Sequence, residues 1–172
     1  WDLPLVIDVG AGLGADARYY LRQGFRVVAV EANPSALDRA LSDPGTKPYL
    51  LSGQLTVLNA AIAGPDAGNG GDAKSSFWVL AQRPEQSKAV SWIAADGGVE
   101  VSVRTTRCAD LLRVFGQAVY MKVDVEINTV DCLTSLANES ASSRTGWLPP
   151  KYLSLEVEAV HLTGVFYKHL VA

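Results

Sequence analysis

Three groups of residues in this chain have the types and spacing that chemistry requires, and each lies where an apolar run ends. The first is Asp8-Val9-Gly10-Ala11-Gly12-Leu13-Gly14. Glycines let a turn take positive φ and let a ligand meet bare backbone. Gly10-x-Gly12-x-x-Ala15 also satisfies the dinucleotide fingerprint with its permitted final alanine, so the glycines alone do not choose a ligand. Asp8 does discriminate. A carboxylate beside a pyrophosphate repels it and cancels the helix N-terminus that normally holds phosphates. The same carboxylate attracts an ammonium or a sulfonium. Its blander role is to accept hydrogen bonds from amides of the turn.

The second candidate is Glu31, which ends the next apolar run 23 positions after Asp8. An acid there accepts the hydroxyl protons of an adenosine ribose, although a helix N-terminus attracts an acid in any case. The third is "YMKVDVE", where Lys122, Asp124 and Glu126 alternate and so project from one face of a strand. Strands of a parallel sheet are usually buried on both faces, and three charges there are costly unless paired or opened to a cleft. The flanking Met121, Val123 and Val125 argue against a solvated edge strand. "SLEVE" repeats the pattern with Ser154, Glu156 and Glu158. Ionisable groups gathered in a cleft mark functional sites.

The elements that must position these residues alternate between strand and helix, as in a parallel sheet covered on both faces. Leu3 to Val9 predicts a first strand. Leu13, Ala17, Tyr20 and Leu21 then recur at helical spacing, with Gly24 placed to stop the helix. Arg26 to Val30 predicts a second strand. In "EANPSALDRAL", Asn33 caps a helix, Pro34 suits its first turn, and Leu37 and Leu41 face inward until Pro44-Gly45 ends it. Leu55 to Asn59 predicts a third strand. The glycine-rich stretch from Gly64 to Ser76 breaks the rhythm, and "SFWVL" and "VEVSVR" beyond it predict an inserted antiparallel pair. A helix marked by Leu111, Leu112 and Phe115 and closed by Gly116 follows. After it come a strand from Val119 to Val125, a helix from Val130 to Leu136 and a strand from Tyr152 to Val157. The expected fold class is α/β, a Rossmann-like doubly wound, mainly parallel sheet with an inserted β-hairpin.

Composition narrows the partners. Of the 172 residues 48% are hydrophobic and 19% charged, which suits one globular domain with a real core. A net charge of −3 and singly scattered Lys and Arg argue against a nucleic-acid surface. No apolar run approaches the ~18 residues that a membrane span needs. Cys108 and Cys132 fall in apolar helical patterns without metal-type spacing, which predicts buried free thiols rather than a disulfide. The chain starts at Trp1, directly in a strand, as one clipped at its N-terminus would. Any targeting segment ahead of Trp1 would then be invisible, so the location is unknown from the sequence and cytoplasmic only by default.

"VIDVGAGLG", "VAVEANP", "LNAAIAG", the later "SS" with its strand, "ADLL" and "MKVDVE" occur in that order from about Leu5 to Glu158. This series resembles FkbM-type S-adenosylmethionine-dependent methyltransferases. The glycine turn is common to most class I methyltransferases; Glu-x-Asn-Pro together with Lys-x-Asp-x-Glu is far more specific. The resemblance implies a class I methyltransferase fold and methyl transfer to a hydroxyl of a small molecule or glycan. It implies that Asp8, Gly10, Ala11, Gly12 and Gly14 line the methionine side of the cofactor. Glu31 would hold the ribose with Ala32 and Asn33 beside it, Asn59 and Ala60 would lie near the adenine, and Asp124 and Glu126 near the departing methyl group. Two departures stand out. Ile127-Asn128-Thr129 replaces the family's usual Gly-Ala-Glu, and the chain stops at Ala172 without the family's two further strands. That pattern is expected of a single methyltransferase domain taken from a longer chain and lacking the C-terminal strand pair.

A hydroxyl acceptor must lose its proton as it attacks. Asp124 or Glu126 is the candidate base and Lys122 balances charge, with Glu156 and His161 as lesser candidates. A hard divalent cation held by Asp124, Glu126, Glu156 and Glu158 and binding the acceptor oxygen is the minor alternative. The competing functions are an S-adenosylmethionine-binding remnant without turnover and an NAD(P)-dependent oxidoreductase.

Overall fold

The computed structural model describes residues 3–63, 74–80, 83–88, 98–125, 128–142 and 148–156. Glu126, Ile127, Glu158 and His161 lie outside them. Five parallel strands form the central sheet: β1 (Leu5–Val9), β2 (Arg26–Glu31), β3 (Leu55–Asn59), β8 (Tyr120–Val123) and β9 (Tyr152–Leu155). Their order is β3-β2-β1-β8-β9, so the sheet reverses its winding between β1 and β8. Ligands of open α/β sheets bind outside the carboxyl ends of the strands at such a switch point. Asp8 lies there, in register with Ala29 of β2 and Lys122 of β8.

Alternation along the strands builds two cores. Ile7, Val9, Val28, Val30, Met121 and Val123 pack against α4 (Cys108–Phe115) and α5 (Thr129–Ala141). Val6, Val27 and Ala29 pack with Leu55 against Ala17 and Leu21 of α1 (Ala15–Arg22). Asp8 shares the α1 face of β1 with Val6.

Helix ends follow the local chemistry. Gly14 caps α1 at φ 75°, and Gly24 at φ 87° turns the chain out after it. Leu13 precedes this helix and is exposed, not part of its buried stripe. Asn33 Oδ1 accepts from the amides of Ser35 (3.0 Å) and Ala36 (3.4 Å), capping α2 (Pro34–Ser42) as expected. Leu37 and Leu41 are only half-buried, and Ala36 is the buried residue of that helix. A further short helix, α3 (Lys47–Ser52), precedes β3.

The expected antiparallel pair is β5 (Lys74–Leu80) and β7 (Gly98–Thr106), and two more strands join them. β6 (Arg83–Lys88) pairs with β5, and the short β4 (Ala61–Ile62) runs parallel to β7, giving a second sheet ordered β4-β7-β5-β6. No helix among the described residues is long and apolar enough to cross a membrane.

The cysteine expectation is overturned. Cys108 and Cys132 form a disulfide with Cα atoms 5.1 Å apart. α4 and α5 pack side by side with their N-terminal ends together, since Cys108 meets Cys132 and the Ala109 amide donates to Ser135 Oγ at 3.3 Å. Both sulfur-bearing residues are fully buried, so the bond staples the two helices inside the core.

Candidate functional site

The glycine turn is dictated by its neighbours at Gly10. Its φ is 83°, and a Cβ there would stand 1.9 Å from the backbone oxygen of Asp124. The Asp124 amide in turn donates to Val9 O at 2.9 Å, so the β1 turn and the end of β8 lie directly against each other. The amides of Gly10 and Ala11 donate to Val30 O at 2.9 and 3.1 Å, closing the turn over β2. Gly12 has φ 53° and nothing within 4 Å of the Cβ position, so its side remains open to a ligand.

Asp8 is fully buried, and neither carboxylate oxygen has a hydrogen-bond partner among the described residues. The blander reading, bonds to amides of the turn, does not hold. Burial pushes its carboxyl up to about 6; Lys122 opposes this, while Asp16, Asp124 and Glu31 add to it. A buried carboxylate without donors is costly and calls for a cationic or donor group from outside.

Glu31 is already engaged within the fold. Its Oε2 accepts from the Gly12 amide and its Oε1 from the Asn33 amide, both at 2.7 Å, so it braces the turn against the start of α2. Burial raises its carboxyl above the ordinary range despite those bonds. The Ala32 amide is a third backbone donor to this carboxylate, and of its roughly four acceptor sites one remains for a ligand hydroxyl. Asn59 Nδ2 donates to the carbonyls of Glu31 (2.9 Å) and Ala32 (3.0 Å), and the Ala60 amide donates to Glu31 O at 3.1 Å. Ala32, Asn33, Asn59 and Ala60 thus form one braced rim around Glu31, largely through backbone.

Lys122 and Asp124 are brought together as expected, with Lys122 Nζ 2.9 Å from Asp124 Oδ2. β8 ends at Val123, and Met121 and Val123 are fully buried on the opposite face. The same ammonium contacts Asp16 Oδ2 at 2.7 Å, a partner that sequence reasoning missed. Asp16 lies in the first turn of α1, where an acid needs no explanation beyond the helix dipole. Burial works against the Lys122 charge, but these two bonds outweigh it and hold the ammonium firmly protonated. Asp124 is pulled below the ordinary carboxylate range; burial raises it, and a hydrogen bond from Glu156 and the Lys122 charge more than compensate.

Among the described residues no three His, Cys, Asp or Glu side chains converge as a metal site requires. The fold and site together define an α/β protein with a mainly parallel sheet, compatible with a Rossmann-like architecture, whose switch point is lined by carboxylates. No known family, characterised protein or solved structure matches the chain.

Proposed function

We propose that this chain is a methyltransferase that binds S-adenosylmethionine at the β1 turn and methylates a hydroxyl of a small molecule or glycan. The observation that carries the reading is Asp8, a fully buried carboxylate whose two oxygens find no partner among the described residues, beside an open glycine turn. Pyrophosphate would meet this carboxylate with two further negative charges, whereas an ammonium or sulfonium would relieve it. A dinucleotide oxidoreductase is disfavoured on that ground, although the strand order suits both.

When bound, the cofactor supplies an already activated methyl group. The chain's own work is placement and proton removal. Gly10, Ala11, Gly12 and Gly14 let the ligand approach backbone, the Glu31 rim receives the ribose, and Asp124 takes the acceptor's proton. Lys122 keeps Asp124 ionised for that task. In a thermal-shift assay S-adenosylhomocysteine raises the Tm and NAD and NADP do not; the reverse pattern refutes the reading.

A further inference from the structure

Asp8 is a buried carboxylate with a lysine beside it on the sheet. Lys122 stands in register with it on β8, and adjacent strands lie about 4.8 Å apart, within reach of a long side chain on the same face. Yet neither Asp8 oxygen has a partner among the described residues. The Lys122 ammonium is held elsewhere. Asp16 Oδ2 accepts from it at 2.7 Å and Asp124 Oδ2 at 2.9 Å, which takes two of its three N–H donors. Asp124 sits on the same chain segment as Lys122, whereas Asp16 reaches it from the first turn of α1 and so fixes where the ammonium stands. Arg18, beside Gly14 on the glycine turn, is committed as well. Its guanidinium donates to Leu13 O at 2.8 Å and lies 3.3 Å from Asp43. Tyr20 of α1 also faces Asp8, but burial and Tyr120 keep its phenol protonated, so it brings no charge.

We infer that Asp16 sets the specificity of this site by holding Lys122 off Asp8, which leaves that carboxylate free to select a positively charged ligand over the same ligand without the charge. With Lys122 released, Asp8 would be neutralised from within and the selection lost. Asp124 and Glu31, on either side of the β1 turn, add to the same preference.

The identity of the ligand rests on the methyltransferase reading; the arrangement of Asp8, Lys122 and Asp16 does not. S-adenosylmethionine and S-adenosylhomocysteine differ by one methyl group and the sulfonium charge that it creates. Transfer joins the methyl carbon to the acceptor oxygen, leaves the S–C electron pair on sulfur and passes the hydroxyl proton to Asp124. The spent cofactor has thereby lost the charge that the site selects, so it is held more weakly than the fresh one and its release is favoured.

The test has two arms, both on the whole chain. Carboxyl-carbon NMR follows Asp8, whose midpoint at about 6 is expected to fall by at least about one pH unit in Asp16→Asn, as contact with an ammonium demands, and to stay in place in Asp16→Glu. In a Lys122→Met background the same Asp16→Asn change produces no comparable fall, which separates the movement of Lys122 from the loss of the Asp16 charge itself. Calorimetry at low salt and neutral pH, above the Asp8 midpoint, is expected to find S-adenosylmethionine bound at least about tenfold more tightly than S-adenosylhomocysteine by the wild-type chain. The ratio falls toward one in Asp16→Asn. A midpoint that does not fall in Asp16→Asn, or that falls equally without Lys122, overturns the role of Asp16. Equal affinities in the wild-type chain overturn the charge selection while the methyltransferase reading stands, and this comparison decides alone should a variant not fold. Binding of neither ligand, with the expected fall of the midpoint, upholds the hold on Lys122 and removes the ligand assignment together with the methyltransferase reading.

Discussion

Asp8→Asn is predicted to stabilise the chain and weaken its site at the same time. In the folded chain Asp8 titrates at about 6 against an ordinary 3.8. The folded state therefore holds this proton more tightly than the unfolded state, and stability falls as pH rises through that interval. The penalty is absent below about pH 4, where both states are protonated, and complete above about pH 7. At about 1.4 kcal/mol per pH unit it amounts to about 3 kcal/mol. Asn removes that penalty but buries an amide without partners, which costs about 1–2 kcal/mol. The net gain is about 1–2 kcal/mol at neutral pH, a Tm rise of roughly 2–8 °C for a chain of this length. Below about pH 4 the gain disappears and the variant becomes the less stable protein. Loss of a charge-assisted hydrogen bond to the ligand's ammonium weakens S-adenosylhomocysteine roughly 10–100-fold. Thermal melts across pH and calorimetric titration of both proteins measure the two effects. A variant that is less stable by a constant amount at every pH, or that binds the ligand as wild type does, refutes the reasoning.

Three other perturbations separate the parts of the structure. Gly10→Ala places a Cβ 1.9 Å from the Asp124 carbonyl at a positive φ, so denaturant unfolding is expected to show a loss above about 4 kcal/mol; a loss under about 1 kcal/mol means that β1 and β8 do not meet as described. The Cys108–Cys132 bond closes a loop of 24 residues, so its reduction is expected to cost about 3 kcal/mol, and thiol titration of the unfolded, unreduced chain should find no free thiol; two free thiols refute the pairing. Thr46→Val removes a buried hydroxyl that has no partner among the described residues and makes no capping bond to α3, and a gain of about 1 kcal/mol is expected by chemical denaturation; a loss shows that the hydroxyl is bonded.

Local signals were legible where local chemistry fixes the outcome. Asn33-Pro34 announces the start of α2, and Gly24 and Gly116 announce the ends of α1 and α4, because caps depend on a few adjacent residues. β6 reads "RPEQSK" and gives no apolar alternation, since it is the outer strand of its sheet and its pairing is supplied by β5. α3 has six residues and no buried position, so it leaves no periodic stripe to read. The disulfide depends on how α4 and α5 pack, which neither helix pattern encodes. At the site, residue types and the Lys122–Asp124 pairing were legible, while roles were less so. Glu31 turned out to brace the turn through two backbone amides, and Asp16 reaches Lys122 across 106 positions of sequence. Glu126, the other candidate base, lies outside the described residues.

Amide NMR mapping tests the central claim most directly, because it reports whether a ligand binds and where. S-adenosylhomocysteine is predicted to shift resonances from Val9 to Ala15, around Glu31 to Asn33 and Asn59 to Ala60, and at Asp124, while NAD leaves them in place. Shifts caused by NAD alone, or shifts from S-adenosylhomocysteine confined to residues away from the β1 turn, would contradict the account.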